Sequence, residues 1–265
     1  MGFVEREGIR YYQFESLAGL GVIQGLYTRQ GGVSPYPWHS LNLGGTVGDE
    51  RANVVENRRR IFHSMGLPVE SIYDCWQVHG TEVICTTQPR PLDGVHHKAD
   101  AILTDQKEIT LFMRFADCVP IFLVDPVREV IGIVHAGWRG TVDGVAAQAV
   151  KRMCEQYGAH PEDIYAGIGP SICVDHYQVG KEVVEAARTA FGKDAAQVLA
   201  RRDGSIHLDL WAANRLALEK CGVRQTEIAA ICTACHTHDW YSHRAEQGKT
   251  GRFGALLAFG RRELP

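Results

Sequence analysis

The sequence holds no run of apolar residues approaching the ~20 needed to span a bilayer, which excludes a helical membrane protein. It also lacks an excess of either charge. Lys and Arg number 28 against 31 Asp and Glu, a formal net charge of −3 with a pI of about 6.5. Without a basic surplus to hold a phosphate backbone, nucleic acid is not an expected partner. The opening residues Met1 to Glu7 are charged and carry no apolar stretch of a signal peptide. Arg6 stands where a myristoylation signal wants Ser or Thr, so the expected location is the cytoplasm. There is no internal repeat, low-complexity tract or block of like charge. Several catalytic signatures are missing too. No His-Glu-x-x-His helix is present, nor a His-x-Glu paired with Pro-Cys-x-x-Cys, so this is neither a zincin nor a standard zinc nucleoside deaminase. Gly19-x-Gly21-x-x-Gln24 breaks the dinucleotide fingerprint. Gly248-Lys249-Thr250 ends like a P-loop but has His243 where the first glycine belongs.

What is present is an ordinary globular composition: 265 residues, 45% hydrophobic and 22% charged. Only Gln88 to Gly94, with two prolines, reads as a linker, so one domain over residues 1–265 is expected. Hydrophobic alternation predicts strands at Gly8 to Phe14, Val22 to Thr28, Glu82 to Thr86, Ala101 to Thr104, Thr110 to Phe115, Pro120 to Val124, Val130 to Val134, Ile164 to Ile168, Ile228 to Thr233 and Gly254 to Phe259. Helices are expected from an Asp49 N-cap to Met65, and over Gly140 to Tyr157, Lys181 to Phe191 and Leu210 to Cys221. Consecutive strands in the middle imply an α/β fold with mixed rather than purely parallel sheets.

Eight cysteines and twelve histidines invite a search for metal. In a reduced compartment each cysteine is a core residue, a ligand or a nucleophile. Val124-Asp125-Pro126-Val127-Arg128 reads as a tight turn between two apolar strands. Pairing Asp125 with Arg128 sets Cys118 directly opposite His135, with Cβ atoms ~5 Å apart. That spacing suits two ligands of one metal or a Cys-His nucleophile pair. Pro120 cannot donate to the ladder, and a one-residue slip would send the two side chains to opposite faces. His135-Ala136-Gly137-Trp138-Arg139-Gly140 is a strand-to-helix junction, where backbone N–H groups collect and anions bind. Arg139 adds a planar cation there. His79, in Gln77-Val78-His79-Gly80, is a third candidate ligand. A lone His is more often a hydrogen-bonded structural residue and a free Cys more often core, so the pairing matters more than either residue alone.

Gln77-Val78-His79-Gly80, Ala116-Asp117-Cys118 and His135-Ala136-Gly137-Trp138-Arg139-Gly140 resemble the hallmarks of the YfiH/YlmD family, also called the laccase-domain or multicopper polyphenol oxidase family. The resemblance extends over nearly the whole chain. It takes in Thr28 to Ser34, Ser40-Leu41-Asn42-Leu43-Gly44, Val47-Gly48-Asp49, Asn57-Arg58, Cys232-Thr233, Ser242-His243-Arg244 and Thr250-Gly251-Arg252. It implies a four-layer α/β/β/α sandwich with mixed sheets, similar to a bacterial cytotoxic deamidase. It implies zinc held by His79, Cys118 and His135, with copper also suited to that donor set. It further implies phosphorolysis of adenosine, inosine, guanosine and methylthioadenosine, and deamination of adenosine. Asp117 is then a candidate proton carrier. Arg58, Arg139 and Arg244 are candidate phosphate-binding and catalytic groups, and Asn42 a candidate reader of a purine edge.

Other readings stand beside this one. Cys118 as nucleophile and His135 as base would make a cysteine hydrolase or amidase, although such an enzyme would not need His79. Copper-dependent phenol oxidation is a second. The only His-x-His pair is His236-Thr237-His238, too few for a multicopper centre. Cys232-Thr233-Ala234-Cys235-His236 matches the c-type haem string, and a structural zinc clip built on Cys232, Cys235 and the nearby His236 and His238 is a further option. A non-catalytic metal-stabilised protein would need a fourth ligand for the first triad, with His243 the candidate.

Overall fold

The computed structural model describes residues 2–260; Met1 and residues 261–265 of the expected domain lie outside them. The elements are β1 (Gly2–Arg6), β2 (Ile9–Gln13), β3 (Val22–Tyr27), α1 (Arg51–Ser64), β4 (Ile72–Tyr73), β5 (Val83–Cys85), β6 (Ala101–Thr104), β7 (Thr110–Phe115), β8 (Val119–Asp125) and β9 (Val130–Ala136). They continue with α2 (Trp138–Val142), α3 (Val145–Tyr157), β10 (Tyr165–Ile168), α4 (Lys181–Phe191), α5 (Ala195–Val198), β11 (Leu199–Arg202), β12 (Ser205–Leu208), α6 (Leu210–Lys220), β13 (Gln225–Ile228) and β14 (Phe253–Phe259). No helix among the described residues is long and apolar enough to cross a membrane.

Two six-stranded sheets form, ordered β1-β2-β3-β14-β7-β4 and β13-β10-β8-β9-β6-β5. Both are mixed: β4 runs parallel to β7, β5 to β6 and β10 to β13, while the other pairs are antiparallel. The alternation of side chains explains the layers. On β8, Val119, Ile121 and Leu123 join Val145, Ala149 and Met153 of α3, while Phe122 and Val124 turn the other way. They meet Phe14, Leu26, Met113, Phe253 and Leu257 from the first sheet. Phe112 and Leu256 face outward from that first sheet onto Ile61 and Phe62 of α1. Three apolar layers therefore separate α1, sheet, sheet and the α3–α4–α6 side, which is the α/β/β/α sandwich. Each side chain fully buried in these layers contributes about 1.5–3 kcal/mol of transfer free energy.

Local chemistry accounts for the departures from the expected elements. The hairpin of β1 and β2 turns on Glu7 and Gly8, with φ of 53° and 74°, and pairs Arg6 with Ile9. This is a two-residue turn with both residues left-handed. The helix expected from Gly140 to Tyr157 is two helices, because Gly144 sits at φ 83° between α2 and α3. Asp49 is not the N-cap of α1; Glu50 is, and Asp49 accepts from the Glu50 N–H at 2.8 Å and from Asn53 at 3.1 Å. The strand expected over Ile228 to Thr233 lies earlier, at Gln225–Ile228.

The β8–β9 register also differs from expectation. Asp125 pairs with Val130 rather than Arg128, and Pro120 rather than Cys118 stands opposite His135. The Asp125 carboxylate accepts from the Val127 and Arg128 N–H groups at 2.8 and 2.9 Å, and Glu129 takes φ 52°, so the turn needs four residues. The displacement is two residues, which preserves side-chain parity. Cys118 and His135 therefore still project to one face.

Candidate metal centre

Three elements bring His79, Cys118 and His135 together. The chain leaves the first sheet at the end of β7 and enters the second at β8 through Ala116-Asp117-Cys118, with Asp117 at φ 79°. Cys118 is thereby held where the two sheets meet. His135 is the penultimate residue of β9, on the face shared with Ile131 and Ile133, and its ring packs against Phe115 at 5.4 Å between centroids. His79 comes from the loop after β4, at φ 61°, and its ring lies edge-on to that of His135 at 4.9 Å. One ligand atom from each of the three residues lies within 4.8 Å of the other two. Gly137 permits this approach: a Cβ there would meet the His79 ring at 2.8 Å and Cys118 Sγ at 3.1 Å. The backbone at Gly137 has φ −74°, so the need for glycine is one of space.

Asp100 organises the centre. It precedes β6, which pairs with β9 so that Ala101 stands opposite Val134. Its Oδ1 lies 2.7 Å from His135 Nδ1 and accepts the His79 N–H at 2.9 Å, and its Oδ2 accepts the Gly80 N–H at 2.7 Å. A carboxylate on Nδ1 fixes the imidazole tautomer and leaves Nε2 for a ligand bond. Burial opposes ionisation of Asp100, but His135 and the backbone N–H groups outweigh it and hold the carboxyl below its ordinary range. At Cys118 burial raises the thiol, yet His135 and His79 beside it bring it down to about 6. Burial likewise works against charge on His135, while the Cys118 thiolate and Asp100 push it up to about 9. Both shifts run in the direction that favours a thiolate facing an imidazolium when no metal is bound. Among the described residues no fourth protein ligand joins the two imidazoles and the thiol, a donor set that fits zinc or copper.

The other sequence candidates are placed unevenly. Both oxygens of Asp117 are engaged: Thr233 donates its hydroxyl to Oδ1 at 2.6 Å and Arg244 its backbone N–H to Oδ2 at 2.6 Å. Its use as a proton carrier would cost one of those bonds. Arg139 is exposed and lies over the Trp138 ring at 4.5 Å. Arg244, also exposed, stacks on Tyr177 at 5.0 Å and donates to the Gln178 carbonyl at 3.1 Å. Burial first, then the nearby Cys118, push the Tyr177 hydroxyl up to about 12, with Arg244 and Arg139 opposing. Arg58 is not brought into this group. It faces Asp74 at 3.7 Å, donates to the Leu43 carbonyl at 3.2 Å and lies over Phe112 on the α1 side of the first sheet. Asn42 is fully buried and its amide makes four hydrogen bonds, to both backbone groups of Gly44, to Asp49 and to the Arg252 N–H. That exhausts its two donors and two lone pairs, so it has nothing left for a purine and belongs to a turn. His243 does not appear among the groups of convergent ligand atoms.

Residues 23–260 match the family model described as multi-copper polyphenol oxidoreductase laccase. The chain belongs to that family. Among its relatives, the purine nucleoside phosphorylase YlmD of Geobacillus stearothermophilus is 39% identical over 253 residues, covering 92% of this chain and 91% of the relative. An adenosine deaminase, RL5, from an unknown prokaryotic organism is 35% identical over 224 residues, covering 81% and 85% respectively. The crystal structure of the Geobacillus YlmD superposes with a TM-score of 0.91 at 34% identity, over 98% of this chain and 99% of that one.

Within this laccase-family chain, sequence reasoning passed over three residues at the centre. Asp100 stands in Ala99-Asp100-Ala101, an unremarked carboxylate ahead of a strand, and only sheet pairing reveals its partner. Tyr177 follows no motif. Arg252 lies in the Thr250-Gly251-Arg252 block, and its guanidinium donates to the Thr250 and Gly251 carbonyls at 3.2 and 2.8 Å. Burial pulls it below the ordinary guanidinium range, against the charges of Cys118 and Asp117 beside it.

Proposed function

We propose that this chain is a zinc-dependent purine nucleoside phosphorylase of broad specificity, accepting adenosine, inosine, guanosine and methylthioadenosine, that also deaminates adenosine. The observation that carries the reading is the open set of His79, Cys118 and His135, with Arg139 four residues beyond His135 in α2 and Arg244 bonded through its backbone to Asp117, next to Cys118, and stacked on Tyr177. The names borne by the relatives supply the substrate class. Zinc held by these three side chains supplies a Lewis acid able to bring the pKa of water to ~7.

The protein's own groups do the rest. In phosphorolysis a phosphate oxygen forms a bond to the ribose C1′ as the glycosidic C–N bond breaks, and the bonding pair leaves with the purine, which takes up a proton. Arg139 and Arg244 hold the phosphate by charge-assisted hydrogen bonds, and the exposed Arg139 guanidinium has free donors for it. Tyr177 and Trp138 provide aromatic faces beside those cations. Asp100 keeps His135 in one tautomer through every step. Asp117 fixes the wall that carries Arg244. In deamination, water adds at C6 of adenine and ammonia departs.

A second reading has its own observation. Asp100, His135 and Cys118 line up as orienting carboxylate, imidazole and low-pKa thiol, the order of a cysteine hydrolase. The test that separates the two is adenosine with and without phosphate, using wild type and Cys118→Ala, with metal content read on the same samples. Adenine and ribose-1-phosphate formed only with phosphate, and lost together with the metal in the variant, support the phosphorylase. Inosine alone means a deaminase. Turnover of neither with metal bound moves the chain to the hydrolase reading, and a metal-free wild type ends the zinc assignment.

A further inference from the structure

A second cluster lies outside the site just described. Cys173-Val174-Asp175-His176 and Cys232-Thr233-Ala234-Cys235 are two short segments, each with two residues between its ligand-type side chains. They follow β10 and β13, which are parallel neighbours, so both chains emerge at the same end of the sheet. The two segments continue side by side: Ser171 N donates to the Ile231 carbonyl at 3.2 Å and Thr233 N to the Ser171 carbonyl at 3.0 Å. His176 Nδ1 is then 3.4 Å from Cys173 Sγ, 3.5 Å from Cys235 Sγ and 3.9 Å from Cys232 Sγ. All four ligand atoms lie within 4.8 Å of one another.

We infer that Cys173, His176, Cys232 and Cys235 bind one zinc ion in a closed, structural site. A tetrahedral zinc with Zn–S of about 2.3 Å and Zn–N of about 2.0–2.1 Å sets sulfur and nitrogen about 3.6 Å apart. The three sulfur–nitrogen distances fall on either side of that value. One imidazole nitrogen can make a single hydrogen bond, yet three sulfurs converge on this one, which a cation at their centre explains. The Cys173 N–H donates to Cys232 Sγ at 3.3 Å, the backbone support that a thiolate ligand takes. The ligand spacing agrees with structural zinc sites, and four protein ligands leave no position open for chemistry. His236 and His238, the histidines expected in such a clip, are turned elsewhere. His236 bonds the Cys232 carbonyl at 3.0 Å, and His238 pairs with Asp239 at 3.1 Å.

The clip has a purpose in this fold. The residues around Cys173 and after Cys232 build the wall beside Cys118. Thr233 and Arg244 hold the Asp117 carboxylate, Ile172 N donates to the Asp117 carbonyl at 3.1 Å, and Arg244 reaches the Gln178 carbonyl. Cross-linking segments 59 residues apart in the chain fixes that wall without disulfides.

The experiment is zinc content of the full chain, purified reduced and without chelator, as wild type, Cys118→Ala and Cys118→Ala combined with Cys235→Ser. Two ions per chain are expected in wild type, one in Cys118→Ala and none in the combined variant. Wild type and Cys118→Ala both holding one ion would support the clip while defeating the metal at the first site. One in wild type and none in Cys118→Ala overturns the clip and leaves the first site standing. A disulfide between Cys232 and either of its cysteine neighbours, found by mass under non-reducing conditions, also overturns it. Should the combined variant fail to fold, cobalt in place of zinc in Cys118→Ala decides the matter. The intense thiolate-to-cobalt absorption of a tetrahedral site is expected, and its absence overturns the inference.

Discussion

Asp100 Oδ1 stands 2.7 Å from His135 Nδ1, and the same carboxylate receives the backbone N–H groups of His79 and Gly80. One residue therefore orients one candidate ligand and ties down the loop that supplies another. Asp100→Asn keeps the shape but offers a donor where Nδ1–H needs an acceptor. A loss of metal affinity of roughly 10- to 100-fold is expected, as for other partners of ligating histidines. Competition with a chelator measures it, with phosphorolysis falling in proportion to metal occupancy. An unchanged affinity would show that Asp100 serves only the loop.

The charges of the metal-free centre give a second expectation. Cys118 is lowered from 9.0 to about 6, so its contribution to stability is full above 9.0 and is lost as pH falls through about 6. His135 is raised from 6.5 to about 9, so its contribution is full below 6.5 and is lost as pH rises through about 9. The two overlap between about 6 and 9. Thermal unfolding of chelator-treated wild type against Cys118→Ser should show its largest difference in that interval, shrinking on both sides. Metal uptake should release protons there, since ligation requires a neutral His135. A difference flat from pH 5 to 10 would mean that the thiolate–imidazolium pair does not form.

The candidate centre was partly legible because its three candidate ligands are rare residue types in short motifs, and such motifs survive errors in geometry. The turn at Asp125 is longer than the dipeptide Asp-Pro indicates, yet an even displacement left Cys118 and His135 on one face. Asp100 was not legible, since its role depends on β6 lying beside β9, a pairing fixed by the whole sheet. The same holds for His176, which reaches Cys232 and Cys235 only because β10 and β13 are neighbours. Among the elements, β4 has two residues, too few to show a period, and the turn at Glu7-Gly8 lacks the Asn or Asp that usually announces it. The four layers followed from resemblance. Periodicity shows which face of a strand is buried but not what covers it.

Arg139 and Arg244 should separate the two reactions. Phosphorolysis needs the anion and deamination does not. Losing one charged hydrogen-bonding partner costs about 1.5–3 kcal/mol, a rise in KM for phosphate of roughly 10- to 100-fold. Arg139→Ala should show this with adenosine deamination held within about twofold, and lysine should rescue incompletely because it lacks the planar fork. Equal losses in both reactions would assign Arg139 to nucleoside binding.

Arg58 makes the opposite case, of a motif arginine consumed by the fold. Asp74 is fully buried and meets Arg90 at 2.7 Å, Arg114 at 3.0 Å, His96 at 3.2 Å and Arg58 at 3.7 Å. Burial would raise its carboxyl, but the hydrogen bond to His96 and the charges of Arg114 and Arg58 hold it well below the usual range. Arg58 in turn is lowered to about 10, first by burial and then by Arg114, with Asp74 pulling the other way. One carboxylate thus serves three guanidinium groups, and the loss of any single arginine leaves it paired. Removing the carboxylate leaves buried cations facing one another. Asp74→Asn should therefore destabilise by about 3–5 kcal/mol, the scale for breaking a buried pair, whereas Arg58→Ala should cost less. Denaturant unfolding of the two variants gives the comparison. Because Arg58 is committed to Asp74 and the Leu43 carbonyl, Arg58→Ala should leave KM for phosphate within about twofold of wild type. A tenfold rise with unfolding unchanged would return Arg58 to the phosphate site.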